Sequence, residues 1–163
     1  MIKTIDCNLL DAPADVIAHC CNCFCTMGSG VARAIREKFP EAYEADLKTK
    51  KGDLSKIGTF SYAKVLKPDN RVKYVANIYG QGEYGKGIRQ VNYEGIYRGV
   101  SLLEEKSRKA ADTFPDATIG FPYKMGSDLA GGDWRIINQM IEVIFENSPI
   151  NVVICRYTPP TIV

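Results

Sequence analysis

The sequence has almost no net charge, no long apolar run and only one histidine. Its 21 Lys and Arg residues against 19 Asp and Glu leave a formal net charge of +2, too small to indicate nucleic acid or an anionic membrane as a partner. No apolar stretch approaches the ~18 residues that cross a bilayer, and the opening MIKTIDCNLL lacks the apolar core of a secretory signal. We therefore expect a cytoplasmic protein without nucleic-acid or membrane partners, and a monomer.

The six cysteines do not have the pattern of a disulfide framework. Five lie within the first 25 residues, and Cys155 stands apart. Cys20 and Cys21 are adjacent, so on a strand their side chains would point to opposite faces. We expect free thiols in a reducing compartment.

The stretch HCCNCFCTMGSG, residues 19–30, resembles several chemical sites and satisfies none of them. Structural zinc needs four ligands, usually two pairs from separate elements, and no second pair accompanies this cluster. A cysteine phosphatase has an arginine six residues after the cysteine, where this chain has Thr26, and a C-x-x-C redox motif is absent. We predict packing roles for the cysteines, and neither a metal nor a cofactor.

A second glycine-rich stretch, GQGEYGKG at 80–87, resembles two nucleotide-binding fingerprints. The P-loop pattern fails at Gly87, where the hydroxyl that binds magnesium would stand. The dinucleotide fingerprint requires a helix that opens directly from the loop, whereas helical periodicity resumes only near Tyr93. Neither nucleotide fold is favoured.

Strand-like and helix-like segments alternate along the chain, which is typical of a three-layer α/β/α domain with a mixed, largely parallel central sheet. No repeat or linker interrupts residues 1–163, so we expect a single domain. The predicted strands cover 2–5, 15–20, 57–65, 72–79, 117–121 and 150–157. The first predicted helix begins at Gly30. The others cover 41–50, which we expect to be exposed, 93–112 and 134–147, and Asp133 is the expected cap of the last one.

Two glycine-rich loops each join a strand to a helix: MGSGVA at 27–32 and MGSDLAGGDW at 125–134. Each offers several backbone N–H groups at a helix N-terminus, which is a ready anion site, and small residues let a phosphate approach closely. Two such loops at the carboxyl ends of strands would bracket a diphosphate. The alternative is a pair of ordinary glycine-rich turns.

In their order and spacing, three segments resemble the macro domain family, the ADP-ribose-binding module. VIAHCCNCFCTMGSGVARAIREKFP resembles the family's first block, a strand that ends in N-A-A-N before a glycine-rich turn. FPYKMGSDLAGGDW resembles its second phosphate loop. IYGQGEYGKGIRQVNYEGI resembles a subgroup that includes yeast-type ADP-ribose 1''-phosphate phosphatases and related phage proteins, so the compartment would be the host cytoplasm if the protein is viral.

The resemblance implies a set of ligand-binding residues. Asn22 falls on the final asparagine of N-A-A-N, which contacts the distal ribose, and His19 replaces the first asparagine as in the phosphatase subgroup. Asn8, with the adjoining Leu9, falls where the family usually reads adenine with an aspartate. The two phosphate loops would be formed by Gly28, Ser29, Gly30 and Val31, and by Gly126, Ser127, Leu129, Ala130 and Gly131.

Two departures from the family pattern bear on chemistry. Asp128 stands where the second loop usually has glycine, and its carboxylate would repel a diphosphate unless it turns outward or acts as an acid or base. Gln81 and Ala130 replace the lysine and aspartate of the branch that removes ADP-ribose from glutamate. Because a glutamine cannot form the covalent sugar adduct that a lysine amine forms, that branch is disfavoured.

The expected reaction is hydrolysis of ADP-ribose 1''-phosphate to ADP-ribose and phosphate, without metal. His19 would act as general acid or base, as an imidazole with a pKa near neutrality can, and the alternative is a hydrogen-bonded core histidine at the end of a strand. Asp128 and Asp133 are candidate carboxylate partners, although Asp133 equally fits a helix cap. The alternatives are a binding module that captures ADP-ribose or a related nucleotide without chemistry, and a de-ADP-ribosylating hydrolase.

Overall fold

A computed structural model describes residues 1–83, 90–110, 116–127 and 130–158. Within these ranges the strands are β1 (Ile2–Asp6), β2 (Val16–Cys21), β3 (Phe60–Lys64), β4 (Tyr74–Tyr79), β5 (Thr118–Pro122) and β6 (Asn151–Arg156). The α-helices are α1 (Gly30–Lys38), α2 (Pro40–Leu47), α3 (Tyr93–Lys109) and α4 (Trp134–Phe145). Two short 3-10 segments cover Leu9–Asp11 and Leu54–Lys56.

The strands form one mixed, largely parallel sheet in the order β1-β6-β5-β2-β4-β3, as the alternating pattern predicts. The ladders from β1 through to β4 are parallel, and only β3 runs antiparallel, against β4. The central parallel strands β2, β4 and β5 are largely buried because both of their faces are covered by helices, whereas β1 at the edge exposes Lys3, Thr4 and Asp6. Every parallel strand therefore ends at the same edge of the sheet.

Helices cover the sheet on both faces and make the expected three layers. The apolar stripe of α4 and the buried face of α3 pack on one side, where Ile96, Val100, Ile137 and Ile141 are fully buried. Ile35 of α1 and Ala42 of α2 pack on the other side. Among the described residues, no helix is both long and apolar enough to pass through a bilayer.

The chain changes direction across the sheet between β2 and β5. After β2 it builds β3 and β4 on one side, and it then crosses back to build β5 and β6 on the other. The β2–β5 ladder contains only two register pairs, Val16 with Ile119 and Ile17 with Gly120. The remaining four residues of β2 are outside that ladder, so the sheet splits toward its carboxyl edge. Open α/β sheets bind ligands at such switch points.

Several expected boundaries are shifted. The strand predicted at 57–65 begins at Phe60, because residues 57–59 continue the preceding 3-10 turn: the N–H of Ile57 donates to the Leu54 carbonyl and that of Thr59 to the Lys56 carbonyl. The helix predicted as exposed at 41–50 is shorter and partly buried: Ala42 and Asp46 both lie in the interior. The helix predicted at 93–112 ends at Lys109 in the described range, and its last two residues lie outside the described residues.

Candidate functional site at the carboxyl edge of the sheet

Two loops flank the split between β2 and β5. Loop one, residues 22–29, leads from β2 to α1, and loop two, residues 123–132, leads from β5 to α4. The exits of β1, β6 and β4 lie at the same edge because these strands are parallel to β2 and β5. The predicted phosphate loops therefore begin at the carboxyl ends of two neighbouring strands.

Loop one presents its tip to solvent and leaves the start of α1 available. Gly28, Ser29 and Gly30 are exposed, and the side chain of Ser29 makes no capping hydrogen bond although it holds the N-cap position. The first N–H groups of an α-helix have no partner within the helix, and the helix dipole favours negative charge there. Val31, in the first turn, is 42% exposed. This geometry suits an anion.

Asn22 fixes the first turn of loop one. Its side-chain amide donates to Thr26 Oγ1 at 2.7 Å, and its Oδ1 accepts from the backbone N–H of Phe24 at 2.8 Å. The residue is half-buried at the exit of β2, beside the split. Both hydrogen bonds are local, so an amide oxygen lone pair remains for a ligand hydroxyl.

Loop two is anchored to the segment before α3. The carbonyl of Ala130 accepts from the N–H groups of Gln90 and Val91, and Gly132 donates to the carbonyl of Gly126. Gly126 has φ of +72°, and a Cβ there would lie 3.1 Å from Ile96. Glycine is required at this turn by both its conformation and its close packing.

The predicted members of loop two are placed unequally. Gly131 is exposed and Ser127 is half-buried, whereas the Ala130 side chain is buried. Asp128 and Leu129, both predicted site residues, lie outside the described residues.

The predicted adenine-reading pair differs in exposure. The Oδ1 of Asn8 caps the 3-10 segment by accepting from the N–H of Leu10 at 3.0 Å. The side chain of Leu9 is 5% exposed and packs into the core, so its contact with a ligand could come only from its backbone. The exit of β6 adds an exposed ring that the sequence analysis missed, Tyr157, next to the exit of β1.

His19 is buried in the sheet rather than exposed at the loops. Its side chain is 1% exposed, and Nε2 lies 2.7 Å from Asn77 Oδ1 on the neighbouring strand β4. The amide of Asn77 donates to the Ala42 carbonyl and to Ser61 Oγ. This fixes the Asn77 oxygen toward the ring, so Nε2–H is the donor.

Burial lowers the pKa of His19 to about 4, and the hydrogen bond to Asn77 offsets this only in part. A charged imidazole would lose its hydration without gaining a carboxylate. The near-neutral pKa that proton transfer by His19 would need is therefore not favoured by these surroundings. The imidazole is neutral at physiological pH, and its surroundings favour a structural role.

Asp133 caps α4. Its Oδ1 accepts from the N–H of Arg135, and the Arg135 guanidinium pairs with both carboxylate oxygens, at 3.1 and 2.7 Å. These hydrogen bonds lower the pKa of Asp133. A carboxyl that stays ionised cannot donate a proton at neutral pH, so the geometry favours the capping role over that of a general acid.

Four of the six cysteines lie in β2 and loop one, whereas Cys7 and Cys155 pack at β1 and β6. Cys21, Cys23 and Cys25 are buried, whereas Cys20 packs from the opposite face against the core of α3 and α4. Burial raises the pKa of the Cys20 thiol to about 12 and that of Cys21 well above its usual range. Within the described residues, no three His, Cys, Asp or Glu side chains are grouped to hold a metal ion.

A buried polar cluster under loop one was not expected from the sequence. Asp46 of α2, Lys56 of the second 3-10 segment and Tyr79 of β4 are all at least nine-tenths buried. The Tyr79 hydroxyl donates to Asp46 Oδ1 at 2.7 Å and contacts Ser61 Oγ at 2.8 Å. No local pattern could have identified these residues, because they belong to different elements.

Comparison with known proteins identifies the class. No protein-family model matches the chain. The chain is 32% identical over 145 residues to an uncharacterized 17.5 kDa protein in the tk-vs intergenic region of Enterobacteria phage T4, a match that covers 88% of this chain and 86% of that protein. It is 29% identical over 157 residues to an ADP-ribose 1''-phosphate phosphatase of Debaryomyces hansenii, with 84% and 86% covered.

Solved structures show the same fold. The macrodomain of Mycobacterium tuberculosis DarG superposes with a TM-score of 0.73 at 19% identity, over 98% of this chain and 99% of that one. Thermosipho africanus DarTG in complex with ADP-ribose gives 0.68 at 15% identity, over 98% of this chain and 42% of that one. With the split sheet and its paired loops, these superpositions define a macro domain fold. The chain belongs to the macro domain family, and the phage T4 protein is a relative of it along most of its length.

Proposed function

We propose that the protein binds ADP-ribose, with the diphosphate between loop one and loop two. One observation carries the proposal: the sheet splits beside an exposed Gly28–Ser29–Gly30 turn at an uncapped helix start, in a chain of the macro domain family. Backbone N–H groups in such a turn and the positive end of α1 favour a diphosphate. The ADP-ribose complex of the DarTG neighbour, which shares the fold, supports the same ligand class.

The two ends of the ligand follow from the strand order. The adenine would lie at the β1 and β6 exits, where Asn8 offers an amide and Tyr157 an exposed ring for stacking. The distal ribose would lie beside Asn22. Loop two would close over the diphosphate with the backbone of Gly126, Ser127, Ala130 and Gly131, together with the predicted Leu129.

Substitutions at Gly28 test the proposal without disturbing the fold. A Cβ there meets only the Thr26 carbonyl, at 3.8 Å, and Gly28 has no positive φ. Gly28→Glu should fold normally but place a carboxylate in the anion site, and should weaken ADP-ribose binding at least about tenfold, since like charges brought together cost several kcal/mol and about 1.4 kcal/mol is a factor of ten. Gly28→Ala is the matched control and should bind like the wild type.

Isothermal titration calorimetry measures the ADP-ribose affinity of the wild type and of both variants. A wild-type protein that shows no heat at millimolar ADP-ribose would remove the proposed function and leave the fold assignment intact. Equal affinity of Gly28→Glu and the wild type would move the diphosphate away from loop one.

A second candidate is hydrolysis of ADP-ribose 1''-phosphate, favoured by the similarity to the D. hansenii phosphatase. The neutral, buried His19 is poorly placed for proton transfer to a bound phosphate, so Asp128 becomes the preferred acid or base. Release of inorganic phosphate by the wild type in EDTA, lost in Asp128→Asn with ADP-ribose affinity retained, would support the enzyme. Absence of turnover alongside ADP-ribose binding would support a binding module.

A further inference from the structure

We infer that Lys56 is a positioning residue for loop one: its buried ammonium holds the loop in the conformation that presents its tip to a phosphate. The inference rests on the proposed function and adds a residue outside the ligand site. Lys56 lies in the 3-10 segment after α2, more than 25 positions from loop one in sequence. It contacts the loop at the buried Cys25, on the side away from the exposed tip.

The Lys56 ammonium is enclosed by polar and aromatic groups of three elements. The residue is 9% exposed, and Nζ donates to Thr49 Oγ1 at 2.9 Å. The same nitrogen lies 3.8 Å from Cys25 Sγ, in loop one, and 4.9 Å from the centroid of the Tyr79 ring. Lysines are among the residues least often buried, so a specific arrangement keeps this one inside.

A direct ion pair does not account for the burial. Asp46 is the nearby buried acid, but Tyr79 occupies its Oδ1, and no described group hydrogen-bonds its Oδ2. No described carboxylate lies within 4 Å of the Lys56 ammonium. Burying a charge without a close counterion costs free energy, and local rules of this kind are most often broken at functional sites.

Cys25 is the point at which the cluster acts on loop one. Its φ is +56°, a left-handed conformation that costs a non-glycine residue about 1–2 kcal/mol. The surroundings hold it there: Sγ contacts the Asp46 carbonyl at 3.2 Å and Thr49 Oγ1 at 3.5 Å, and the Tyr43 hydroxyl donates to its carbonyl at 3.3 Å. Strained residues persist where packing over-determines them.

The turn at Cys25 decides where the rest of the loop goes. Two residues later Met27 also has a positive φ, of 40°, and its side chain is buried, whereas Gly28 to Gly30 emerge into solvent. If the contacts that Lys56, Thr49 and Asp46 make beneath Cys25 were weakened, Cys25 would relax toward right-handed conformations. The tip of loop one, residues 28–30, would then sample other positions. Apparent affinity falls in proportion to the fraction of protein in the competent conformation.

The experiment compares Lys56→Met, which keeps the stem and removes the charge, with Lys51→Met, an exposed lysine of the same connecting segment. Thr49→Val removes the oxygen that the ammonium contacts and serves as a second variant if Lys56→Met folds poorly. Calorimetry measures the affinity for ADP-ribose, and a chemical-shift titration measures the affinity for adenosine, which lacks phosphate. Hydrogen exchange of the amides in residues 22–31 is followed in the free protein.

We expect Lys56→Met and Thr49→Val to weaken ADP-ribose binding about tenfold, as for a competent population reduced to about one tenth, with adenosine binding unchanged and faster exchange in loop one. Lys51→Met should match the wild type. Unchanged exchange in loop one, or an equal loss for both ligands, would overturn the inference while leaving ADP-ribose binding by the wild type intact. A wild type that binds no ADP-ribose would instead refute the proposed function, and this inference with it.

Discussion

The buried imidazole of His19 should make stability fall in mild acid. The pKa is about 4 in the folded protein, against 6.5 for an unperturbed histidine. Between these values the unfolded chain takes up a proton that the folded protein does not. The stability that the folded protein gains by holding His19 neutral is therefore fully present above pH 6.5 and is lost as the pH falls toward 4.

The magnitude follows from the two values. At pH 5 the unfolded histidine is almost fully protonated and the folded one almost neutral, which amounts to about 2 kcal/mol, and the full difference approaches about 3 kcal/mol below pH 4. His19→Asn is the matched variant, because its amide can still donate toward Asn77 and does not titrate. The smaller side chain of His19→Asn lowers the free energy of unfolding by itself, and this loss is measured at pH 7.5 and subtracted.

The assay is urea unfolding of both proteins at pH 7.5, 6.0 and 5.0. Between pH 7.5 and 5.0 the free energy of unfolding should fall by about 2 kcal/mol more in the wild type than in His19→Asn. Because the chain has one histidine, its imidazole proton resonances also report the pKa directly. A folded protein whose imidazole titrates between pH 6 and 7 would refute the buried neutral state and revive a catalytic His19.

Two further outcomes test other parts of the site. Asp133→Asn should keep the cap of α4, since asparagine caps as well as aspartate, and phosphate release from ADP-ribose 1''-phosphate, if the wild type shows it, should be unchanged; a large loss would restore the carboxylate as an acid or base. Gly80→Ala should destabilise the protein by about 1–3 kcal/mol in urea unfolding, because the new Cβ would lie 2.5 Å from Ile96 and 2.8 Å from the Cys20 sulfur. Gly28→Ala, with free space, is its control, and equal stability of the two variants would contradict the close packing.

The sequence predicts the regular elements well where their periodicity is strong. Ile96, Val100, Ile137 and Ile141 recur at helical spacing and all face the core. The 3-10 segments escape prediction because three residues carry no period. The boundaries of β3 shift for the same local reason, since the preceding turn uses residues that read as strand.

The site is predictable only in part. The glycine turns and the cap at Asp133 are local features, and their spacing to the strands carries the resemblance to the family. The burial of His19 depends on Asn77, 58 positions away, and that of Lys56 depends on Thr49, Cys25 and Tyr79 together. A polar residue looks the same in sequence whether it meets water or a partner, so tertiary contacts decide its role.

The ladder between β1 and β6 has a consequence for the order in which the molecule assembles. Its strands join positions far apart in the chain, as the Asp6–Arg156 ion pair shows with a separation of 150 residues. Contacts of such long range form slowly, because the loop-closure entropy must be overcome before pairing compensates for it. During synthesis β1 would leave the ribosome before β6 and would remain unpaired until β6 is made. The edge that places Asn8 beside Tyr157 would therefore form last, after the strands that carry loop one.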